Sequence, residues 1–242
     1  MYEQFAGVYD QLMLEAPYQE WVEYIKQFLP KQAVRIADLG CGSGYVAVEL
    51  AKLGHHVTGI DISSDMLALA RERARQASVD VEWVCADMST VDLGGEQFDI
   101  IISTCDSINY LLSSEAVQQC FKHVFSAIKF GGKFVFDVHS ETKRDQFADF
   151  SYADNDENCS VIWESYMSET DKTYIFHDMS FFVLEADGCY RRFDEIHEQW
   201  LADAETYKIL LQNSGFTSCT CSSDFSNEWR EDGERSFFIA DK

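Results

Sequence analysis

Positive charge is scarce in this chain: 19 lysines and arginines stand against 42 aspartates and glutamates, for a formal charge of −23. Proteins that grip a phosphate backbone normally present a basic face, so nucleic acid is not an expected partner. The sequence also lacks any apolar run long enough to cross a bilayer. Its N-terminus, with Glu3 and Asp10, has neither the basic start nor the apolar centre of a signal peptide. These absences predict a cytoplasmic protein that touches no membrane. The 8 cysteines include no Cys-x-x-Cys pair. Cys219 and Cys221 would share one face of a strand, but no second pair at zinc-ligand spacing accompanies them. Neither a disulfide framework nor a metal centre is expected, and no internal repeat or low-complexity tract interrupts the chain.

What is present suits a packed globule: 242 residues, 46% apolar and 14% aromatic, enough for one α/β domain with an insertion. The organising stretch is Ile36-Ala37-Asp38-Leu39-Gly40-Cys41-Gly42-Ser43-Gly44, where an apolar strand enters a glycine-rich turn that opens a helix over 45–53. Glycines here allow a tight turn and a close approach of backbone to a ligand. The dinucleotide fingerprint needs a third glycine where this chain has Tyr45, which disfavours a pyrophosphate ligand and with it a nicotinamide-dependent oxidoreductase. Asp38, at the strand's end, would repel a phosphate but accept hydrogen bonds from an ammonium group, so the expected ligand is cationic. About twenty residues on, His56-Val57-Thr58-Gly59-Ile60-Asp61 is a short strand ending in a carboxylate, where doubly wound folds place an acidic group for ribose hydroxyls. Ser63-Ser64-Asp65 supplies cap candidates for the next helix, leaving Asp61 available for that task.

The glycine turn with its acidic neighbour resembles the first motif of the class I S-adenosylmethionine-dependent methyltransferases, and the order of later motifs extends the resemblance over nearly the whole chain. The fold it implies is α/β, a doubly wound, mostly parallel seven-stranded sheet of the Rossmann-like methyltransferase type with an antiparallel β insertion. S-adenosylmethionine is then the cofactor and S-adenosylhomocysteine its product. The resemblance implies that Asp38, Gly40, Cys41, Gly42 and Gly44 hold the methionine part, Asp61 the ribose and Asp87 the adenine. Ile62 and Met88 are covers for the ring, and Met66 and Cys105 complete the cofactor set.

Gln97-Phe98-Asp99-Ile100-Ile101-Ile102-Ser103 reads as a fully buried strand, and Asp99 before its apolar run has a structural role in the family it resembles. The segment after this strand, Thr104 to Leu111, falls at the carboxyl edge of the sheet, where ligands of open α/β folds bind. It resembles the corresponding segment of glycine and aminosugar N-methyltransferases, which makes Asp106, Asn109 and Tyr110 candidates for holding a small-molecule methyl acceptor. A helix over 113–129 and a turn at Gly131-Gly132 should precede the fifth strand, which ends at Asp137 and His139. From about Glu141 to Leu201 the pattern changes to consecutive strands, with a hairpin at Asp187-Gly188. Residues 1–140 and 201–242 would form the cofactor domain, with an N-terminal helical lid broken at Pro17. Residues 141–200 would be the insertion, either a lid over the acceptor or a stability or dimer surface in a monomer or homodimer.

Methyl transfer from a sulfonium needs alignment and exclusion of water more than covalent help. The expected acceptor atom is an amine nitrogen. His139 or His197 would take or relay its proton, and Tyr9 would help cover the ligand or position the amine. A non-catalytic partner that binds S-adenosylmethionine only to stabilise an assembly is the alternative from outside enzymology.

Overall fold

The central strand of the fold is buried on both sides. In β4 (Phe98–Ser103), Ile100 and Ile102 enter one hydrophobic cluster and Ile101 the other, as strand alternation between two covered faces requires. The computed structural model describes residues 17–155 and 157–242. Around β4 lie β1 (Arg35–Leu39), β2 (His56–Asp61), β3 (Glu82–Cys85), β5 (Ile128–His139), β10 (Ser218–Ser223) and β11 (Arg235–Asp241), in the order β10-β11-β5-β4-β1-β2-β3. β11 runs antiparallel to both of its neighbours; the other pairings are parallel.

Helices α1 (Tyr18–Lys26) and α2 (Tyr45–Lys52) cover one face, burying Trp21, Ile25, Val46 and Leu50 against Ile36, Val135 and Phe237. On the other face, α4 (Ser114–Ala127) and α6 (Ala204–Ser214) pack Phe121, Val124, Tyr207 and Leu211 on Phe134, Phe136 and Phe238. Helix α3 (Ser64–Ala77) begins after Asp61, with the Ser63 side chain accepting from Met66 N–H as its N-cap. Asp99 accepts from Arg35 N–H and from Lys129, tying the starts of β1, β4 and β5 together at the edge opposite the glycine turn.

Two boundaries differ from the sequence expectation. Gly131 and Gly132 do not form a turn ahead of β5: the strand begins at Ile128 and passes through them as an irregularity, its register against β4 shifting between Phe98 and Ile100. The segment from Glu141 does not open with a strand. Ser140 accepts from Lys143 N–H and caps helix α5 (Glu141–Phe147), whose polar composition hides its single buried residue, Phe147.

After α5 come β6 (Asp149–Asn155), β7 (Cys159–Met167), β8 (Tyr174–Leu184) and β9 (Tyr190–Trp200), a separate antiparallel sheet in the order β6-β7-β8-β9. Val161 and Phe181 of this sheet cluster with Met66 at the start of α3, while Ile175 clusters with Phe147 and Leu201. The second sheet therefore rests on elements at the carboxyl edge of the first. No helix among the described residues is long and apolar enough to cross a membrane. The expected first helix, with Tyr9, lies outside the described residues.

Phe136 is 1% exposed and stacks on Phe238 at 4.9 Å, so truncating it leaves a hole that rigid strands cannot close. Phe136→Ala should destabilise the fold by about 3–5 kcal/mol in chemical denaturation; a loss under about 1 kcal/mol would mean that this aromatic layer is not close-packed.

Candidate active site

The carboxyl ends of β1, β2, β4 and β5 meet along one edge of the large sheet, and because β11 is antiparallel its first residue, Arg235, arrives at the same edge opposite His139. The glycine turn is fixed from two sides. Gly40 and Cys41 N–H both donate to the Ile60 carbonyl, at 2.8 and 3.0 Å, and the Ser107 hydroxyl reaches the Gly40 carbonyl at 3.0 Å. A Cβ on Gly40 would lie 2.6 Å from that of Ser107, and one on Gly44 would lie 2.6 Å from Trp83 and 2.7 Å from Ala70. Those two glycines serve contacts within the protein. Gly42 is different: its φ is +53°, a Cβ would meet nothing within 4 Å, and its N–H donates to Asp61 Oδ2 at 2.7 Å. It is the glycine of the turn with open space beside it.

Asp38 is fully buried, and neither of its carboxyl oxygens has a hydrogen-bond partner among the described residues. Burial, with a further contribution from the Asp61 charge, pushes its pKa up to about 8. Such a group is costly unless something cationic or hydrogen-bonding meets it, and the ammonium of S-adenosylmethionine has that chemistry. Asp61 is held by two backbone amides, Gly42 N–H on Oδ2 and Ser63 N–H on Oδ1. Burial raises its pKa against those hydrogen bonds. Each oxygen keeps lone-pair capacity, so the group fits a diol as well as the turn.

After β3, Asp87 Oδ1 accepts from both the Ser89 N–H and its hydroxyl, forming a turn. The Met88 methyl would lie 3.0 Å from a Gly40 Cβ, which places Met88 under the glycine turn. Ile62 is 65% exposed beside Asp61, a large apolar side chain open to a ring. Cys41 is half-buried, and burial raises its thiol pKa well above the ordinary value. Met66 is placed elsewhere: its side chain is buried under Phe181 and Val161 of the second sheet. Its apolar length is used in packing the two sheets together.

Beyond β4, the same edge carries a buried polar network. Cys105 and Asp106 both adopt left-handed backbone, with φ of +56° and +50°, uncommon for residues other than glycine. Their successive N–H groups point at Asp137, donating to Oδ1 and Oδ2 at 3.0 Å each. Asp137 also accepts from Trp21 Nε1 at 2.8 Å and pairs with Arg235, which in turn reaches Asp106 Oδ1 at 3.0 Å. Asp106 Oδ2 accepts from Gln199 Nε2 at 2.9 Å and lies 3.3 Å from His139 Nε2. Burial opposes the Asp106 charge, but His139 and Arg235 outweigh it and hold the carboxyl well below the usual range. Burial raises the pKa of Asp137, with Arg235 opposing.

Behind Gln199 stands His177. Trp163 Nε1, a donor only, points at its Nδ1, so Nε2 carries the proton toward Gln199 Oε1 at 3.3 Å. Burial lowers the His177 pKa to about 4, keeping it neutral. Asn109 is likewise interior: Nδ2 donates to the Trp200 carbonyl and Tyr207 hydroxyl, and Oδ1 accepts from His139 N–H. Its hydrogen-bonding groups are engaged by the protein, locking the segment after β4 to β5 and to the end of β9. Tyr110, 46% exposed, places its hydroxyl 3.3 Å from His197 Nδ1.

The structure thus gathers Asp38, the glycine turn, Asp61 and Met88 at one end, and Asp106 with His139 and Tyr110 with His197 at the other. Sequence reasoning named Asp137 only as a strand end and missed Arg235, Gln199 and His177. Arg235 stands alone before the apolar run Ser236-Phe237-Phe238-Ile239-Ala240, and a basic residue ahead of a final strand was the one available signal.

A carboxyl whose pKa rises from 3.8 unfolded to about 8 folded stabilises the fold most below pH 3.8, and that contribution is lost as pH rises through 8. Asp38→Asn removes this dependence. Ligand-free Asp38→Asn should melt above the parent near pH 8, while S-adenosylmethionine should bind it about ten- to a hundredfold more weakly by calorimetry. Unchanged affinity would remove Asp38 from the cofactor site.

The comparisons agree with this geometry. A family model described as a methyltransferase domain matches residues 36–132, which contain the glycine turn, Asp61 and the segment after β4. Two proteins named as methyltransferases are each 41% identical: GWCH70_2453 of Geobacillus sp. (strain WCH70), aligned over 100% of this chain and 99% of its own length, and YqeM of Bacillus subtilis (strain 168), over 100% and 97%. The crystal structure of an S-adenosylmethionine-dependent methyltransferase from Clostridium acetobutylicum ATCC 824 superposes with a TM-score of 0.85 at 26% identity, covering 99% of this chain and 98% of that one. Likeness over the full length, together with a carboxylate that is unpaired among the described residues and suited to the cofactor's ammonium, sets aside the nicotinamide alternative and places the chain among the class I S-adenosylmethionine-dependent methyltransferases.

Proposed function

We propose that this methyltransferase acts on the amine nitrogen of a small molecule, the chemistry of the glycine and aminosugar N-methyltransferases it resembles in sequence. The observation that carries the reading is the Tyr110 hydroxyl set 3.3 Å from His197 Nδ1. Asp38, the turn at Gly42 and Asp61 hold S-adenosylmethionine, with Asp87, Met88 and Ile62 around its base. When bound, S-adenosylmethionine supplies an electrophilic methyl group on a sulfonium. An ammonium has no free lone pair, so the acceptor must first lose a proton. Tyr110 Oη takes that proton as its own passes to His197 Nδ1. Burial lowers the His197 pKa from its ordinary 6.5, so the imidazole is neutral at pH 7 and able to receive it.

His139 faces Asp106 and is buried behind it, which suits orienting that carboxylate better than meeting the acceptor. The second sheet acts as a roof: β9 brings His197 to Tyr110 and Gln199 to Asp106. The strongly acidic surface supports a small acceptor over a nucleic acid.

A library of amines incubated with cofactor bearing a labelled methyl group should yield a product heavier by one label on nitrogen. Tyr110→Phe and His197→Gln should each lower kcat by about ten- to a hundredfold and remove a falling acid limb that lies below pH 6.5 in the parent. If both variants keep the parent's rate and acid limb, alignment alone carries the reaction; a label found on oxygen or carbon overturns the amine reading.

A further inference from the structure

Strand β10 forms one edge of the large sheet: it pairs with β11 alone among the described strands, and its six residues, Ser218 to Ser223, carry no charge. Alternation sends Ser222 to one face, where its hydroxyl bonds the Tyr24 hydroxyl of α1 at 2.7 Å. Cys219 and Cys221 go to the other face, against the cluster that α6 covers. The two thiols therefore stand side by side between the sheet edge and α6, half-buried and partly open to solvent. The charged groups around them are Lys208 and Glu205 on α6, 3.4 Å from one another, and Asp241 on β11.

A hydrogen bond between the thiols raises the pKa of Cys219 and lowers that of Cys221, and the Lys208 charge draws both down. Cys41, Cys105 and Cys120 differ, since burial raises all three. Along a strand, residues two apart are separated by roughly 6.6 Å, with their Cβ atoms on parallel courses. A disulfide needs Cβ atoms about 3.5–4.5 Å apart, so β10 would have to leave the sheet to form one. An ion set between the sulfurs asks less: two metal–sulfur bonds of about 2.3 Å span roughly 4.6 Å, within reach of side-chain rotation. Zinc calls for four ligands, and no group of three or more metal-ligating side chains occurs among the described residues. Two soft thiolates with no third ligand suit a soft cation of low coordination number, and Cu(I) is such a cation.

We propose that Cys219 and Cys221 form a two-thiolate site for Cu(I) on the edge strand, separate from the site of methyl transfer. Binding exchanges the two S–H protons, released to solvent, for one ion; the metal stays monovalent and no electron moves. The thiol pair passes from neutral to a charge of −1 with the ion in place, and Lys208 stands beside it to offset that charge. β11, β5 and β4 lie between β10 and β1, which puts the pair roughly 19 Å across the sheet from the strand of the glycine turn.

The full chain, reduced and kept free of oxygen, is titrated with the Cu(I) complex of a chromophoric chelator, whose change of colour reports transfer of the ion. The parent should take up one ion per chain. Cys219→Ser and Cys221→Ser should each weaken uptake by about a hundredfold, a ligand counting for at least as much as the groups that orient one. Lys208→Gln should weaken it about two- to fivefold. Cys85→Ser and Cys189→Ser, which remove exposed thiols elsewhere, should leave it unchanged. Every variant should keep the parent's affinity for S-adenosylhomocysteine, and a readout on the parent itself frees the result from any variant's folding: Cu(I) should protect the peptide carrying Cys219 and Cys221 from alkylation by iodoacetamide. No uptake by the parent overturns the site. Uptake that survives both serine substitutions, or protection spread over the exposed thiols, means an adventitious ion only and overturns it too. A Cys219–Cys221 disulfide found by peptide mapping after hydrogen peroxide would show that the strand does not hold the thiols apart, and would overturn the preference for an ion.

Discussion

The carboxyl edge of the large sheet, where β4, β5 and β11 meet, depends on one buried ion pair, Asp137 with Arg235. Asp137 is fully buried near the end of β5 and is satisfied by the Trp21 indole, two successive backbone amides and a guanidinium. Those contacts join α1, the segment after β4, β5 and β11. They also hold Cys105 and Asp106 in left-handed backbone, a conformation that costs on the order of 1–3 kcal/mol per residue and persists only where its surroundings impose it. Such pairs add little net stability over an apolar substitute, but losing one partner strands a charge. The value of this pair lies in geometry: it fixes where the chain leaves β4, and so where Asp106 and Tyr110 stand.

Asp38 and Asp137 make an instructive contrast. Both are buried at the same edge of one sheet, and burial raises the pKa of both. One is satisfied by the protein; the other finds nothing among the described residues and is held beside a second acid. Low dielectric makes the unsatisfied group expensive and therefore a strong partner for a cation. The fold leaves stability unrecovered at Asp38, and its glycine turn is shaped by Ser107, Trp83 and Ala70 at Gly40 and Gly44.

The second sheet joins the site through its inner face. Apolar residues dock it on α3 through Met66, and polar ones extend a chain from His177 through Gln199 to Asp106. Because Trp163 can only donate to His177 Nδ1, the imidazole tautomer is set, and with it the orientation of the Gln199 amide. A second sheet wired in this way positions Asp106, a carboxylate of the main domain.

The sequence alone determined the family's order of motifs around the glycine turn, because those signals are local. A glycine turn after an apolar strand, an acid ending the next strand and a third acid after Val84 fall in an order that few folds share. Runs rich in β-branched and aromatic residues and the Asp187-Gly188 hairpin likewise announced the antiparallel sheet, whereas the polar helix at Glu141–Phe147 left no periodic trace. The polar network after β4 was decided by tertiary structure. Arg235 lies 98 residues from Asp137, Gln199 lies 93 from Asp106, and Asn109 lies 98 from Tyr207. Periodicity shows which face a residue takes but not which distant strand will lie opposite, so whether Asn109 faced a substrate or the core, and what Met66 would cover, had no local answer. Those assignments waited on the antiparallel entry of β11 and the docking of the second sheet, which bring charges together only once the chain has closed.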